Sequence, residues 1–210
     1  MALAPDTRQA RIARILDAAE RLLRKQGDDN FTMRALADEA GVSPATPFNL
    51  LTSKTAVLRA LLRRSLATLE LAAPKHPIEQ LFRSWELCAQ LYASDEAYFR
   101  TLVVGAGIVP DAAFLGMAVA ETILKAAVAA GSIASGAKLR PLAENLDLMA
   151  VGILVLWSRG MLPSERLVAQ FHHGMAVMLS TVVTEESRSR VAKRLRGAER
   201  VLQGLGPLGE

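Results

Sequence analysis

The chain has 210 residues, of which 51% are apolar and 5% aromatic, and it carries a net charge of +4 at pH 7. This length allows one or two domains with buried cores, and the abundance of Ala and Leu favours helices. Its one cysteine, Cys88, excludes an intramolecular disulfide framework, and its longest apolar run, residues 148–157, is too short to span a membrane.

The charge is distributed unevenly along the chain. Residues 1–74 carry 11 Lys/Arg and 8 Asp/Glu, whereas residues 75–184 carry 8 and 9. A mildly basic N-terminal part suits contact with phosphates. Because no apolar signal core precedes the first charges, we expect a cytoplasmic protein without a membrane partner.

The first predicted helix covers residues 8–26, where apolar residues recur at three- and four-residue steps. The arginines Arg21 and Arg24 on its other side are interpreted as part of a solvated face. After a turn, Thr32 is expected to cap a short helix and Gly41 to end it, because glycine adopts the positive φ that is common just past a helix.

A second short helix is predicted directly after this glycine. Ser43 is expected to cap it and Pro44 to occupy its first position, where the missing N–H has no intrahelical partner. A longer helix is predicted over residues 54–72. Two short helices joined by a tight turn with glycine predict a helix-turn-helix, and the alternative is a structural corner with no nucleic-acid partner.

The second short helix has the size of an element that enters the major groove of B-DNA, which is about 12 Å wide. Thr46 and Asn49 can hydrogen-bond to base edges or phosphates, and Ala45 can approach a thymine methyl group. The start of the next helix can meet a phosphate through its backbone N–H groups and the ammonium of Lys54. The predicted DNA-binding residues are Thr32, Arg34, Ser43, Pro44, Ala45, Thr46, Phe48, Asn49, Lys54 and Thr55.

Residues 11–62 also contain a group of residues whose combined occurrence is a highly specific sequence pattern. These residues are Ile15, Leu16, Ala18, Ala19, Leu23, Gly27, Phe31, Thr32, Leu36, Ala37, AGVS at 40–43, Ala45, Thr46, Phe48, Ser53, Lys54 and Leu58. With these residues the region resembles the N-terminal DNA-binding domain of the TetR family of transcriptional regulators. The chain departs from the family pattern at Pro47, at Phe48, which lacks a tyrosine hydroxyl, and at Leu50, which replaces a polar aromatic residue. The resemblance implies an all-α protein with a three-helix DNA-binding domain and a helical ligand-binding and dimerisation domain.

Prolines at positions 74 and 77 are predicted to separate two domains, because they break helices and favour an extended link. We expect a helix-turn-helix domain with its linking helix at residues 1–73, and a helical effector-binding and dimerisation domain at 78–210. Beyond the link the sequence shows no strand alternation and no internal repeat. Helices are predicted at 78–92, 95–104, 111–130, 141–160, 164–183 and 186–203.

Two of these helices, 141–160 and 164–183, are apolar on more than one face. A chain of this size has difficulty covering both, so we predict a homodimer in which they pair with the same helices of a second copy. Gly152 and Gly174 would allow close approach, and the alternative is a large monomer core. TetR-like proteins are similar in using their last two long helices this way, and a two-fold dimer would read a palindromic site in double-stranded DNA.

A cavity for a small apolar effector is expected in the second domain, since such cavities are mostly apolar with a few polar groups. For each candidate residue alone, ordinary core packing is the alternative. No cofactor, metal or catalytic residue is predicted. The candidates are Trp85, Cys88, Tyr92, Phe99, Phe114, Met117, Met149 and Trp157.

Other patterns receive structural interpretations. Residues 99–114 imitate a dinucleotide fingerprint, but Pro110 replaces its third glycine, and we predict a helix end followed by a loop. His172 and His173 point to different faces and make a poor metal pair. The basic residues between 188 and 200 are interpreted as a solvated helix face.

The sequence leaves three candidate functions. The leading one is a TetR-like repressor that is released from a palindromic operator by a small apolar effector. The second is a constitutive DNA-binding dimer, which the lack of a cavity of about 300 Å³ in the C-terminal half would favour. The third is an enzyme, for which the sequence offers no nucleophile–base pair, no paired carboxylates and no metal-ligand spacing.

Overall fold

The computed structural model describes residues 7–69, 76–107 and 116–207, with only the backbone of residues 116–118. Within these ranges the chain forms ten helices and no β-strand beyond an isolated bridge between Ile133 and Val183, which confirms the predicted all-α fold. The helices are α1 (Arg8–Gln26), α2 (Met33–Ala40), α3 (Ala45–Leu51), α4 (Lys54–Ala67), α5 (Pro77–Ser94), α6 (Glu96–Gly105), α7 (Gly116–Ala129), α8 (Leu139–Ser158), α9 (Ser164–Ser180) and α10 (Glu185–Gly204). Among these described helices, none combines the length and apolarity that crossing a bilayer requires.

The first four helices form an N-terminal head, residues 7–69. Thr7 Oγ1 caps α1 by accepting the Ala10 N–H at 3.2 Å, and Gly27 ends the helix with a φ of +74°. α1 packs against α2, α3 and α4, so it holds the helix-turn-helix as one packed unit. Its buried residues are Ile15, Leu16, Ala18, Ala19, Leu22 and Leu23.

α4 ends at Ala67, earlier than the predicted end at residue 72, which lies outside the described residues. The Thr68 hydroxyl donates to the Ser65 carbonyl at 2.7 Å, a local bond that competes with continuation of the helix. With 14 residues, α4 is about 21 Å long at about 1.5 Å per residue.

The remaining helices form a C-terminal body with α9 near its centre. α9 packs against α5, α8 and α10, while α7 packs against α5 and α8. One continuous apolar core runs from Ile15 in the head to Val191 in the body, and the two parts meet chiefly where α4 contacts α6. The proposed boundary at residues 74–77 stays a prediction, because residues 74 and 75 lie outside the described ranges.

Two predictions for the body have simple outcomes. The segment that imitates a dinucleotide fingerprint begins inside α6 rather than after a strand, which agrees with the helical interpretation. Of the helix predicted at 111–130, residues 116–129 are helical, and residues 111–115 lie outside the described ranges.

Candidate nucleic-acid interface

The loop between α2 and α3 closes without the cap that the sequence predicts. Gly41 ends α2 with a φ of +63°, as predicted. α3 begins at Ala45, so Pro44 precedes the helix, and the Ser43 hydroxyl bonds to the Thr46 hydroxyl at 2.7 Å. The prediction that Ser43 caps α3 and Pro44 is its first residue was wrong. The turn is closed instead by the Thr46 N–H donating to the Ser43 carbonyl at 2.9 Å, and the two hydroxyls satisfy each other.

α3 turns one side to the head and the other to solvent. Pro47 is buried, and as the third residue of the helix it has no intrahelical N–H bond to lose. Half of the Phe48 surface, 51%, is exposed, so its ring can make apolar contact with a thymine methyl group. The other side chains on this side are Pro44, Ala45 and Asn49, which are exposed, and Thr46, which is half-buried.

α2 and α4 both contact α3, and a side chain caps the N-terminus of each. Thr32 Oγ1 accepts the Ala35 N–H at 3.1 Å, and Ser53 Oγ accepts the Ala56 N–H at 3.2 Å. Each cap satisfies one orphan N–H of its helix, and the others remain able to meet a phosphate. Arg34 is exposed in the first turn of α2.

Lys54 is oriented by the turn that precedes α2. Its ammonium donates to the Asp29 carbonyl oxygen and lies 3.3 Å from Asp29 Oδ2 and 5.6 Å from the centroid of the Phe31 ring. An ammonium has three donors, so this placement holds the side chain in one orientation and leaves capacity for a phosphate oxygen.

The start of α4 also touches the end of α6. Arg59 Nε donates to the Ala106 carbonyl oxygen at 2.7 Å. Thr55 is half-buried, and its methyl group lies 3.9 Å from where a Cβ on Gly107 would be. Thr55 therefore lies at the contact between head and body, and its role in DNA binding stays a prediction.

The head matches a known family, and the whole chain matches known structures. Residues 15–61 match the model described as bacterial regulatory proteins, tetR family. The structure of tylp, a tetr regulator from Streptomyces fradiae, superposes with a TM-score of 0.60 at 17% identity, covering 90% of this chain and 96% of that one. SmeT, the repressor of the Stenotrophomonas maltophilia multidrug efflux pump SmeDEF, gives 0.60 at 19% identity, covering 83% and 91%. The head is therefore similar to the DNA-binding region of the tetR family, and the whole chain is similar in fold to these solved structures.

Another TetR family protein, CprB from S. coelicolor A3(2), has a TM-score of 0.55 at 19% identity, with coverage of 90% and 96%. No curated protein sequence matches the chain. At these identities the structural similarity concerns the fold, a helix-turn-helix head joined to a helical C-terminal domain. This confirms the fold that the resemblance implied for a TetR-family chain.

The aromatic residues predicted to line an effector cavity pack against one another inside the body. The Tyr92 ring centroid lies 5.4 Å from that of Phe99 and 5.6 Å from that of Trp157. Trp85 packs edge-on against Phe171, with centroids 5.2 Å apart. Phe99 also lines a cleft of about 580 Å³ between head and body.

The other predicted effector residues have different surroundings. Cys88 is fully buried, and burial raises the pKa of its thiol to about 12, which fits an inert apolar side chain. Met149 on α8 packs closely on Gly174 of α9, where any Cβ would clash with it. Phe114 lies outside the described residues, and of Met117 only the backbone is described.

Arg21 and Arg24 are exposed, which agrees with the solvated face interpreted from the sequence, and both are also paired. Arg21 Nε donates to Glu39 Oε1 at 2.8 Å, which ties α1 to α2. Arg24 donates to Asp95 Oδ2 at 2.5 Å and stacks 4.2 Å from the centroid of the Tyr98 ring, so it joins the head to the body. The hydrogen bond with Asp95 raises the pKa of Arg24 above its usual value. No local pattern could reveal a partner so distant in sequence.

The solvated-face interpretation of residues 188–200 needs correction at Arg194. Its Nε and Nη2 both donate to Glu79 Oε2, at 3.1 and 2.5 Å. Its guanidinium lies 5.4 Å from the centroid of the Phe82 ring. Arg194 therefore attaches α10 to α5 and is not simply solvated.

Proposed function

We propose that the protein is a transcriptional repressor that binds a palindromic DNA operator as a homodimer and leaves it when a small apolar effector binds. The observation that carries this proposal is the open side of α3, where Ala45, Phe48 and Asn49 are exposed on a helix that the head holds in place. α2 and α4 both contact this helix. This arrangement supports base contacts by α3 and phosphate contacts on both sides of it.

The DNA-binding part of the proposal is tested by fluorescence anisotropy on duplexes selected from a random pool by the full-length protein. Thr46→Ala and Lys54→Ala should each weaken binding about 5- to 150-fold, since a lost base or phosphate contact is worth about 1–3 kcal/mol. Thr181→Ala and Lys125→Ala change the same residue types at exposed sites of the body and should bind normally. Unchanged affinity in both head variants would contradict this placement of the DNA face.

For the dimer, we infer an interface built from α8 and α9, within the predicted ranges 141–160 and 164–183. Leu148 and Leu156 on α8 and Val177 on α9 have 61%, 39% and 45% of their surface exposed. A Cβ on Gly152 would meet no atom within 4 Å, so this side of α8 is open to a partner helix. Pairing of these faces would bury the exposed apolar side chains and place two heads for half-sites about 34–36 Å apart.

The interface is tested by light scattering. Leu148→Glu should convert the dimer to a monomer, because it would bury an unpaired carboxylate. Val201→Glu introduces the same charge at a 48% exposed valine of α10 and should leave the dimer intact. A Leu148→Glu protein that remains dimeric would exclude this interface.

The route from effector to DNA is proposed to run through the contact between α6 and α4. Gly105 at the end of α6 lies against Leu58 and Asp29, and Arg59 donates to the carbonyl oxygen that follows it. A shift of α6 therefore acts directly on the helix that begins with Lys54. Effector binding would favour a conformation whose two heads are wrongly spaced for successive major grooves.

The second candidate, a constitutive DNA-binding dimer, is favoured by the mutual packing of Tyr92, Phe99 and Trp157, which fills the space predicted for an effector. The cleft beside Phe99 has the volume of a ligand site, about 580 Å³, but its lining is mostly charged and polar, so it does not by itself favour an apolar effector. A panel of apolar compounds separates the two. A compound that raises the melting temperature and releases DNA supports the repressor, whereas release by none of them favours the constitutive dimer.

A further inference from the structure

The structure holds a basic groove where α5, α9 and α10 meet. The groove has a volume of about 570 Å³, within the range of ligand sites. Its charged and polar lining consists of Glu79, His172, Arg190, Lys193, Arg194 and Arg200. Four cations against one carboxylate make it strongly positive, although the body as a whole is close to neutral.

The floor of the groove is formed by buried side chains that pack against one another. His172 is 8% exposed, and its Nε2 lies 3.4 Å from the Phe82 carbonyl oxygen. Burial, together with the neighbouring Arg194, lowers the pKa of His172, so the ring is neutral at pH 7. Phe82 packs edge-on against this ring, with centroids 5.3 Å apart, and also contacts the Arg194 guanidinium.

The cations differ in how far they are already neutralised. Arg194 is held by Glu79 in a salt bridge of 2.5 Å between Nη2 and Oε2. Arg190 and Lys193 are exposed, and neither forms a salt bridge with a carboxylate in the described part of the chain. Arg200 lies ten positions after Arg190, about 15 Å further along α10 at about 1.5 Å per residue. The groove therefore offers a cluster of positive charge at one end and a separate cation at the other.

We propose that this groove binds a small polyphosphate anion. Arginine and lysine side chains bind phosphate through charge-assisted hydrogen bonds, and two or more linked phosphates match cations spread along α10. The concave shape suits a small molecule better than a duplex. On α9, His172 and the exposed Val177 of the inferred dimer face point about 140° apart at about 100° per residue, so that face leaves the groove open.

The test is isothermal titration of the full-length protein with inorganic tripolyphosphate, and with inorganic phosphate for comparison, at fixed ionic strength. Tripolyphosphate should bind saturably and more tightly than phosphate. Arg190→Gln/Lys193→Gln should weaken its binding by about tenfold or more, since each lost charge-assisted bond is worth about a factor of ten. Circular dichroism checks that the variant is folded, which is expected because both side chains are exposed.

The matched control is Arg188→Gln/Arg196→Gln, which removes the same charge from the same helix outside the groove. It should change tripolyphosphate affinity less than twofold. Equal losses in the two variants would mean diffuse attraction to α10 and would overturn the proposal, as would the lack of saturable binding. Loss of DNA binding by the groove variant without any tripolyphosphate binding would assign the groove to nucleic acid instead. Operator binding by α3 is measured separately, so neither result depends on the other.

Discussion

Gly105→Ala is the substitution that most directly probes the contact between head and body. A Cβ on Gly105 would lie 2.5 Å from Leu58 Cδ1 and 2.7 Å from Asp29 Oδ2. Leu58 is fully buried, so its side chain has little room to move, whereas Asp29 is half-buried and paired with Lys54. The added methyl group must therefore displace the end of α6, Leu58 or the Asp29–Lys54 pair.

The magnitude follows from two opposing effects. Overpacking of a core contact costs about 1–3 kcal/mol. Alanine is preferred to glycine inside a helix by up to about 1 kcal/mol, which offsets part of that cost. The net loss should be about 1–2 kcal/mol, which corresponds to a melting temperature lower by about 2–8 °C for a chain of this length.

The assay is thermal denaturation, compared with Gly204→Ala at the last position of α10, where a new Cβ meets no atom within 4 Å. Gly204→Ala should be neutral or slightly stabilising. Adding Leu58→Val removes the closest clashing atom, so Gly105→Ala should cost less in that background than in the parent chain. A Gly105→Ala protein as stable as the parent would refute the close approach of α6 to α4.

Three further substitutions or measurements test other parts of the structure. Thr52, between α3 and α4, has a φ of +57°, which is strained for a β-branched residue. Thr52→Gly should therefore raise the free energy of unfolding, measured by urea denaturation, by about 1 kcal/mol. A lower denaturation midpoint would count against this strain. Arg166 is 6% exposed and donates to the Gly206 carbonyl oxygen at 2.5 Å. Arg166→Gln should lower the free energy of unfolding by about 1–3 kcal/mol and speed hydrogen exchange in the last turn of α10. Unchanged exchange would show that the bond is dispensable. Burial raises the pKa of Cys88 from 9.0 to about 12, so the thiol should resist Ellman's reagent at pH 8 until the protein unfolds. The contribution of this burial to stability should be complete below about pH 9 and decline above it. Rapid labelling of the native protein would contradict the burial of Cys88.

Local signals in the sequence account for most of the helix ends in the head. Thr32 and Gly41 begin and end α2 as predicted, because each acts on backbone groups three or four residues away. The prediction that Ser43 caps α3 was wrong because another local interaction competes with the cap. The Ser43 hydroxyl bonds to the Thr46 hydroxyl, a partner that the cap pattern does not consider. The overlong prediction for α4 likewise missed the bond from Thr68 back to Ser65.

Side-chain partners in the candidate sites could not be predicted in this way. Arg24 pairs with Asp95 and Arg194 with Glu79, residues that only the tertiary fold brings together. Helical periodicity shows which side of a helix is polar, but it does not show whether that side faces water or another helix. The basic residues of α10 were interpreted as solvated for this reason, and the groove they form with α5 and α9 is visible only in the structure.

Asp29 connects the two halves of the proposed mechanism. Its carboxylate holds the Lys54 ammonium at the start of α4, and the same Oδ2 atom lies against Gly105 at the end of α6. A phosphate bound by Lys54 shares the ammonium with Asp29, and a shift of α6 must move Asp29 or the helix that carries Lys54. Because coupling between two binding equilibria is reciprocal, an effector that lowers operator affinity by some factor must itself bind less tightly to the DNA-bound protein by the same factor. Asp29→Asn keeps the size of this side chain and removes its charge, so it should reduce that shared factor while leaving effector binding to the free protein unchanged.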